Sequence, residues 1–163
     1  MIDETLPDVV KNYLRAGHRL ERIALDRFGR WTHEGLDFEN PRVIDLFSRS
    51  VQRTEGGTWV LVIPPFTYPI EVERTGYFVT AVDAVEGTIA LSDGTSEVLD
   101  LDTLAYEGEG SLYCDVKGGR FEARFLRHAY YALADLLEEH EGSLVLRWRG
   151  ELHDALWAVE AQS

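Results

Sequence analysis

The sequence contains very little cysteine and very little lysine. Its single cysteine, Cys114, has no partner within the chain for a disulfide bond, so we expect no adaptation to an oxidising compartment. Lys11 and Lys117 are the only lysines, and arginine supplies the rest of the 16 basic residues. Positive charge is therefore carried mostly by planar guanidinium groups, which favour bidentate contacts with carboxylates and phosphates.

Long apolar runs and a basic leader are also missing. No stretch approaches the roughly 18 consecutive apolar residues of a membrane helix, and residues 1–5 are acidic where a secretory signal would be basic. We therefore expect a cytoplasmic protein without a membrane partner. The formal charge of −13, with 29 acidic residues, would repel a polyphosphate backbone, so we expect no nucleic-acid partner.

Motifs that signal catalysis or cofactor binding are absent. The sequence has no nucleophile elbow, no zinc-protease motif and no glycine-rich phosphate loop. We predict no cofactor, no metal site and no catalytic residues. One alternative stays open: a metal-dependent or hydrolytic enzyme, which would require His33, His128 or His153 to converge with acidic side chains after folding.

The pattern of apolar residues predicts a mixed α+β fold. Asn40 followed by Pro41 is typical of a helix start, and the apolar run 59–63 predicts a buried strand. Residues 86–110 contain short strand-like pieces among turns and acidic loops, and we expect weak order there. The spacing of Leu126, Ala129 and Leu133 predicts a long helix over roughly 120–140, followed by a hairpin that turns near residues 149–150.

A weak internal repeat suggests two similar lobes. In each half a glycine turn and an aromatic residue precede a helix, and a second glycine precedes an apolar strand; the two sets are Gly29-Arg30-Trp31 with Gly57-Thr58-Trp59, and Gly119-Arg120-Phe121 with Gly142-Ser143-Leu144. We predict an N-terminal lobe over residues 1–74 and a C-terminal lobe over residues 75–163. Each would combine a helix with antiparallel strands in curved or barrel-like sheets.

Arginines and a tyrosine align on the predicted long helix. At helical spacing, Arg124, Arg127 and Tyr131 fall on one stripe, with His128 beside it. Guanidinium groups next to a tyrosine suit a small carboxylate or phosphate, so these four residues are our predicted ligand-binding site. The alternative is that the arginines pair with nearby acids and bind nothing.

The apolar segment 155–159 supports a further hypothesis, that of a structural protein that forms oligomers. It contains Trp157 and could pack back on the fold or mediate a homodimer. The protein would then have a structural, oligomerising role.

Several motifs resemble the bacterial family known as domain of unknown function 1285. They are Asp26 with Gly29-Arg30-Trp31 and Gly35, Leu46-Phe47, Trp59-Val60-Leu61-Val62, Ile70-Glu71-Val72-Glu73, and above all Val116-Lys117-Gly118-Gly119-Arg120-Phe121-Glu122-Ala123-Arg124-Phe125-Leu126-Arg127 with Tyr130-Tyr131 and Leu133. The similarity covers residues 25 to about 153 in order. Residues 86–110 depart from the family pattern.

The resemblance implies an α+β fold with repeated motifs in two lobes. It implies no established activity and no catalytic residues, but suggests ligand binding or signalling. The leading hypothesis is therefore a binding or regulatory module for a small anion or an acidic protein partner.

Overall fold

The computed structural model describes residues 1–158, which form two compact units that divide between Gly76 and Tyr77. Helices and a larger number of strands occur in both, and one sheet curls into a half-barrel. The predicted α+β fold with curved sheets is confirmed. None of the helices within residues 1–158 has the length and apolar character needed to cross a membrane.

The first unit contains two helices and two small sheets. Its elements are α1 (Asp8–Arg15), β1 (Ile23–Leu25), β2 (Trp31–His33), β3 (Leu36–Asp37), α2 (Pro41–Ser50), β4 (Val51–Arg53), β5 (Trp59–Ile63), β6 (Phe66–Pro69) and β7 (Glu71–Val72). One sheet has the order β3-β2-β1-β7, and the other has the order β4-β5-β6. Asn40 caps α2 by accepting a hydrogen bond from the Arg42 backbone N–H, as the sequence predicts.

The second unit is organised around a six-stranded sheet. Its elements are β8 (Phe78–Asp83), β9 (Thr88–Leu91), β10 (Ser96–Val98), a 3-10 helix (Leu101–Thr103), β11 (Ala105–Tyr106), β12 (Leu112–Val116), β13 (Phe121–Phe125), α3 (Arg127–Ala134), β14 (Leu137–His140), β15 (Ser143–Trp148) and β16 (Glu151–Asp154). The large sheet has the order β10-β9-β8-β13-β12-β11, and the small sheet has the order β14-β15-β16.

The two units repeat one chain order. In the first, the hairpin β1-β2 precedes helix α2 and the three-stranded sheet β4-β5-β6; in the second, the hairpin β12-β13 precedes α3 and the sheet β14-β15-β16. Each hairpin also supplies a strand that pairs in parallel, β1 with β7 and β13 with β8. The predicted repeat of a helix with antiparallel strands is confirmed.

The predicted long helix over 120–140 is wrong. The segment forms β13, the short helix α3 and β14 in succession. Between Phe121 and Phe125, apolar and charged residues alternate with the period of a strand, and pairing with β12 and β8 fixes them there. The helix is therefore limited to Arg127–Ala134. It cannot continue to residue 140, because the segment that follows it, β14, pairs with β15.

Residues 86–110 are ordered, contrary to our expectation. They contain β9, β10, the 3-10 helix and β11. Lys117, in the turn between β12 and β13, anchors this region: its Nζ lies 2.6 Å from Asp93 Oδ2 and 2.9 Å from Thr95 Oγ1. Its backbone N–H donates to the Glu97 carboxylate at 3.2 Å. Contacts from a distant turn thus supply the order that local sequence does not predict.

Cys114 lies in β12 and is 1% exposed, as expected for a small apolar residue. Burial, followed by the charges of Glu97 and Asp115, raises the pKa of its thiol to about 12. The thiol is therefore un-ionised at neutral pH and is a poor nucleophile.

Replacing Lys117 tests the tie between the two turns. Burial would raise the pKa of Asp93, but hydrogen bonds from Lys117 and Thr95 outweigh it and hold the pKa below its usual value. Lys117→Met keeps a side chain of similar length but removes its positive charge. We therefore expect the free energy of unfolding at pH 7 to fall by about 1–3 kcal/mol. The measurement is urea denaturation.

The effect should depend on pH in one direction. A carboxyl group with a lowered folded-state pKa stabilises the protein above its unfolded pKa and loses that contribution as the pH falls through the folded value. The gap between wild type and Lys117→Met should therefore narrow below about pH 4. Equal stability of the two proteins at pH 7 would show that the tie contributes nothing.

Candidate functional site

A groove of about 790 Å³ lies on the second unit. One wall is the chain from Val98 to Asp102, which includes the end of β10 and the start of the 3-10 helix. The other wall is the β15-β16 hairpin, which contributes Trp148, Arg149, Glu151 and His153. Two segments far apart in sequence thus form the two sides of one concavity.

The floor of the groove is apolar and its rim is charged. Leu99 and Trp148 line it and are only 4% and 3% exposed. The rim carries three carboxylates, Asp100, Asp102 and Glu151, against the single guanidinium of Arg149. With His153 neutral, the groove has a net negative charge.

The charges on the rim are largely uncommitted within residues 1–158. Asp100 Oδ1 accepts a hydrogen bond from the Asp102 backbone N–H at 3.1 Å, and Glu151 Oε2 lies 3.9 Å from His153 Nε2. For the carboxylate of Asp102 and the guanidinium of Arg149, the described part of the chain offers no hydrogen-bond or ion-pair partner. These groups remain available to a ligand.

A concavity of about 460 Å³ in the first unit is different. It is lined by Arg22 and Glu71, which form a hydrogen-bonded ion pair with each other. Glu73, also in its lining, accepts from the Arg27 backbone N–H at 3.1 Å. Since these charges already satisfy one another, the groove of the second unit is the better candidate site.

Both walls of the groove are anchored by the turn between β8 and β9. The Leu99 backbone N–H donates to the Gly87 carbonyl at 3.0 Å, and the Arg149 N–H donates to the Ala84 carbonyl at 2.6 Å. The side-chain stem of Arg149 also crosses Gly87, where a Cβ atom would lie 2.4 Å from Arg149 Cδ. Gly87 is therefore needed both for its φ of +76° and for the space above it.

The turn at Arg149 presents its side chain to the groove. Trp148 pairs with Glu151, leaving Arg149 and Gly150 as a two-residue connection, and both have positive φ, 53° and 74°. This is the type I′ geometry that suits the twist of a hairpin. The hairpin predicted from the sequence near residues 149–150 is confirmed.

The opposite wall is fixed by the 3-10 helix. The Asp100 carbonyl accepts hydrogen bonds from the Thr103 backbone N–H at 3.1 Å and from its Oγ1 at 2.8 Å. Thr103 Oγ1 in turn accepts from the Asp115 N–H of β12 at 3.0 Å. The carboxylates of Asp100 and Asp102 are thus mounted on a segment tied to the large sheet.

Arg124, the first of the predicted ligand-binding residues, is buried. It lies in β13, is 8% exposed, and its Nη1 donates to Tyr113 Oη at 3.3 Å. Arg124 and Tyr113 are direct cross-strand partners. The predicted single helical stripe does not exist, because Arg124 belongs to a strand and Arg127 to the helix that follows.

The other three predicted residues share an exposed face of α3. Arg127 begins the helix, and Tyr131, one turn later, is 54% exposed. His128 Nε2 donates to the Thr80 carbonyl at 2.6 Å, and Nδ1 has no hydrogen-bond partner in the part of the chain that the structure describes. Arg127 has no hydrogen-bond or ion-pair partner among residues 1–158. These residues do not line the groove.

The histidines considered for an enzyme have separate local partners. His33 Nε2 lies 3.0 Å from Glu21 Oε2, His153 lies near Glu151, and His128 binds a backbone carbonyl. In the part of the chain that the structure describes, three or more His, Cys, Asp or Glu side chains never gather as they would around a metal ion.

The apolar segment near the C-terminus is largely buried. Ala155, Trp157 and Ala158 are 1%, 7% and 1% exposed, whereas Leu156 is 76% exposed. Val159, the last residue of the predicted segment, lies outside the described residues. The homodimer stays a prediction, and a charge at position 157 would disturb folding as well as any dimer.

Sequence reasoning missed the groove. Asp100 and Asp102 stand out as a carboxylate pair, but acidic pairs are frequent in this chain and carry little specificity. Nothing in the sequence links them to Arg149 or Glu151, since the two walls come together on the turn at Gly87 only in the folded chain. The Arg149-Gly150 turn was the one local signal.

Comparisons with known proteins agree with this fold. No family model and no curated protein matches the chain. Two solved structures, both described as DUF1285 family proteins, are similar to it. The protein from Silicibacter pomeroyi DSS-3 has 23% sequence identity and a TM-score of 0.58, over 86% of this chain and 83% of its own.

The second similar structure comes from Shewanella baltica OS155. It has 17% identity and a TM-score of 0.50, over 71% of this chain and 92% of its own. At these identities the likeness shows a shared fold. The resemblance inferred from the sequence motifs is therefore confirmed at the level of the fold.

Substituting Gly87 tests whether this residue positions Arg149. Gly87→Ala introduces both a strained positive φ and a collision with the Arg149 side chain. Gly110 is the matched control, because it has the same φ of +76° and nothing within 4 Å. We expect Gly110→Ala to cost about 1–2 kcal/mol from backbone strain alone, and Gly87→Ala to cost about 1–3 kcal/mol more.

A double-mutant cycle isolates the contact. Adding Arg149→Ala should recover much of the extra loss in Gly87→Ala and none of the loss in Gly110→Ala, as measured by urea denaturation. Equal losses in the two glycine variants would mean that Gly87 does not position Arg149.

Proposed function

We propose that this protein is a binding module whose second unit holds a positively charged ligand in the groove. The observation that carries the proposal is the pairing of a buried apolar floor, Leu99 and Trp148, with an acidic rim. Ligand sites typically combine apolar lining with a few placed polar groups. Support also comes from the fixed position of both walls on the turn at Gly87.

The size of the groove limits the ligand. Its volume of about 790 Å³ falls within the range of about 300–1,000 Å³ common for ligand pockets. A small organic molecule or a few residues of a peptide would fit that space. Leu99 and Trp148 are already buried, so binding would gain its apolar contribution mainly by covering Val98, which is 64% exposed, and part of the stem of Arg149.

Charge decides between anions and cations. Asp100, Asp102 and Glu151 face one arginine, and the whole chain carries −13, so cations are attracted at long range as well as at the rim. An anion would meet an unfavourable potential in the groove. Exposed rim charges act mainly on the association rate and on salt dependence.

Neutralising two rim carboxylates tests the site. The probe is trilysine, titrated by calorimetry at about 50 and 200 mM salt. We expect Asp102→Asn combined with Glu151→Gln to weaken binding roughly 5- to 30-fold at low salt, because two partly exposed ion pairs are lost. The wild-type affinity should fall as salt rises.

The control removes the same charge elsewhere. Asp135→Asn with Glu139→Gln replaces one exposed aspartate and one exposed glutamate outside the groove. It should change the affinity less than about twofold at the higher salt concentration, where long-range attraction is screened. If both double variants bind trilysine equally, the groove is not the cation site.

We also propose a second candidate, in which the exposed face of α3 binds a small anion. The specific observation is Arg127, which is exposed and unpaired among residues 1–158, while Arg22, Arg49 and Arg147 each contact a carboxylate. Tyr131 and His128 lie on the same helix, within one turn of Arg127. Arg124 would act only as buried support.

A thermal-shift assay with inorganic phosphate and citrate tests the anion site. A ligand that binds only the folded protein raises the melting temperature by mass action. We expect Arg127→Gln to abolish the rise. Arg42→Gln should preserve it, because Arg42 is likewise exposed near a helix start but lies in the first unit. Loss of the rise in both variants, or in neither, would contradict a site on α3.

A further inference from the structure

The outer edge of β10 is open beside the groove. This strand ends the six-stranded sheet, and within residues 1–158 it pairs only with β9. Its last residue, Val98, lines the groove and is 64% exposed. We infer that this edge takes up an extended, basic segment of a partner protein as an added strand. The inference rests on the proposed function of the groove and names its ligand.

The pairing with β9 shows which backbone groups are free. The Leu91 N–H donates to the Thr95 carbonyl at 2.8 Å, and the Leu99 N–H donates to the Gly87 carbonyl at 3.0 Å. Hydrogen-bonding pairs alternate along an antiparallel ladder, so residues 95, 97 and 99 face β9. The N–H and C=O groups of Ser96 and Val98 therefore point away from the sheet.

The free edge extends beyond the strand itself. Asp100 keeps an extended backbone, with φ −87° and ψ 102°, so its N–H continues the outward series of Ser96 and Val98. Its carbonyl is already occupied by Thr103. The edge thus offers donors at three alternate residues and acceptors at two of them, enough to register a short peptide strand.

β10 is only three residues long, but it lacks the other features that usually protect a sheet edge. Besides short length, natural edges are protected by charged side chains, especially lysine, and by proline or bulges. β10 has neither lysine nor proline, and its single charged residue, Glu97, is turned to the Lys117 N–H at 3.2 Å. Ser96 and Val98, which occupy the outward positions, are uncharged.

The charge around the edge identifies the occupant. An added strand would lie beside Asp100, Asp102 and Glu151 and above the apolar floor of the groove. Neighbouring residues of a strand point to opposite faces. A segment that alternates lysine or arginine with valine or isoleucine would therefore place its cations near the carboxylates and its apolar side chains over the floor. A second copy of this chain would bring the same carboxylates to the edge and would be repelled.

Removing one backbone donor of β10 tests strand addition. The probe is the capped peptide acetyl-Lys-Val-Lys-Val-Lys-amide, and its dissociation constant is measured by calorimetry. Val98→Pro eliminates the outward N–H at a position where an edge strand tolerates proline, and we expect at least tenfold weaker binding. Val98→Thr keeps the N–H and the branched shape, and its affinity should stay within twofold of wild type.

A second probe leaves the protein unchanged. Methylating the backbone nitrogens of the two valines in the peptide preserves every side chain but removes two strand donors, and we expect at least tenfold weaker binding to wild-type protein. If neither Val98→Pro nor N-methylation weakens binding, strand addition is wrong.

The groove proposal fails separately. If Asp102→Asn with Glu151→Gln weakens peptide binding while Val98→Pro and N-methylation do not, the groove binds cations without adding a strand, and this inference is overturned alone. If the peptide binds wild type and all variants equally, or fails to bind wild type, both proposals are overturned. If the double rim variant, Val98→Pro and N-methylation of the peptide each weaken peptide binding, the result supports strand addition.

Discussion

The parallel contact between β8 and β13 holds the second unit together. It joins the β8-β9-β10 half of the large sheet to the β11-β12-β13 half through two register pairs, Arg124 with Phe78 and Phe125 with Val79. Backbone bonds from Arg124 N–H to the Tyr77 carbonyl and from Leu126 N–H to the Val79 carbonyl extend it. Parallel pairing needs long connections, so this contact forms only when distant segments meet.

Lys117 reinforces the same joint from the end of the β12-β13 hairpin. By binding Asp93 and Thr95, it ties that hairpin to the turn between β9 and β10. The run 116–127, which carries the most specific resemblance to the family, therefore coincides with the segment on which the large sheet depends. A structural role explains why Arg124 is buried there, where sequence spacing suggested an exposed ligand-binding arginine.

Local signals in the sequence were reliable where local chemistry decides the structure. The Asn40 cap and the Arg149-Gly150 turn depend on neighbouring residues, and both are confirmed. The predicted extent of the helix, roughly 120–140, was wrong because strand pairing overrides helical spacing on both sides of α3. The groove was unpredictable since its walls meet through Gly87, whose role depends on the side chain of Arg149.

The edges of the second unit differ in how they resist unwanted pairing. β14 carries Glu138, Glu139 and His140, β16 carries Glu151 and Asp154, and β11 is only two residues long. Charge and short length are common protections against edge-to-edge association. β10 is also short, at three residues, but the side chains of Ser96 and Val98 are uncharged, and the nearby acids of the groove rim lie at the 3-10 helix and on the β15-β16 hairpin. Under the proposed strand addition, the rim would repel acidic chains, including copies of this protein, and leave the edge accessible to a basic one, so exclusion and recognition would arise from the same carboxylates.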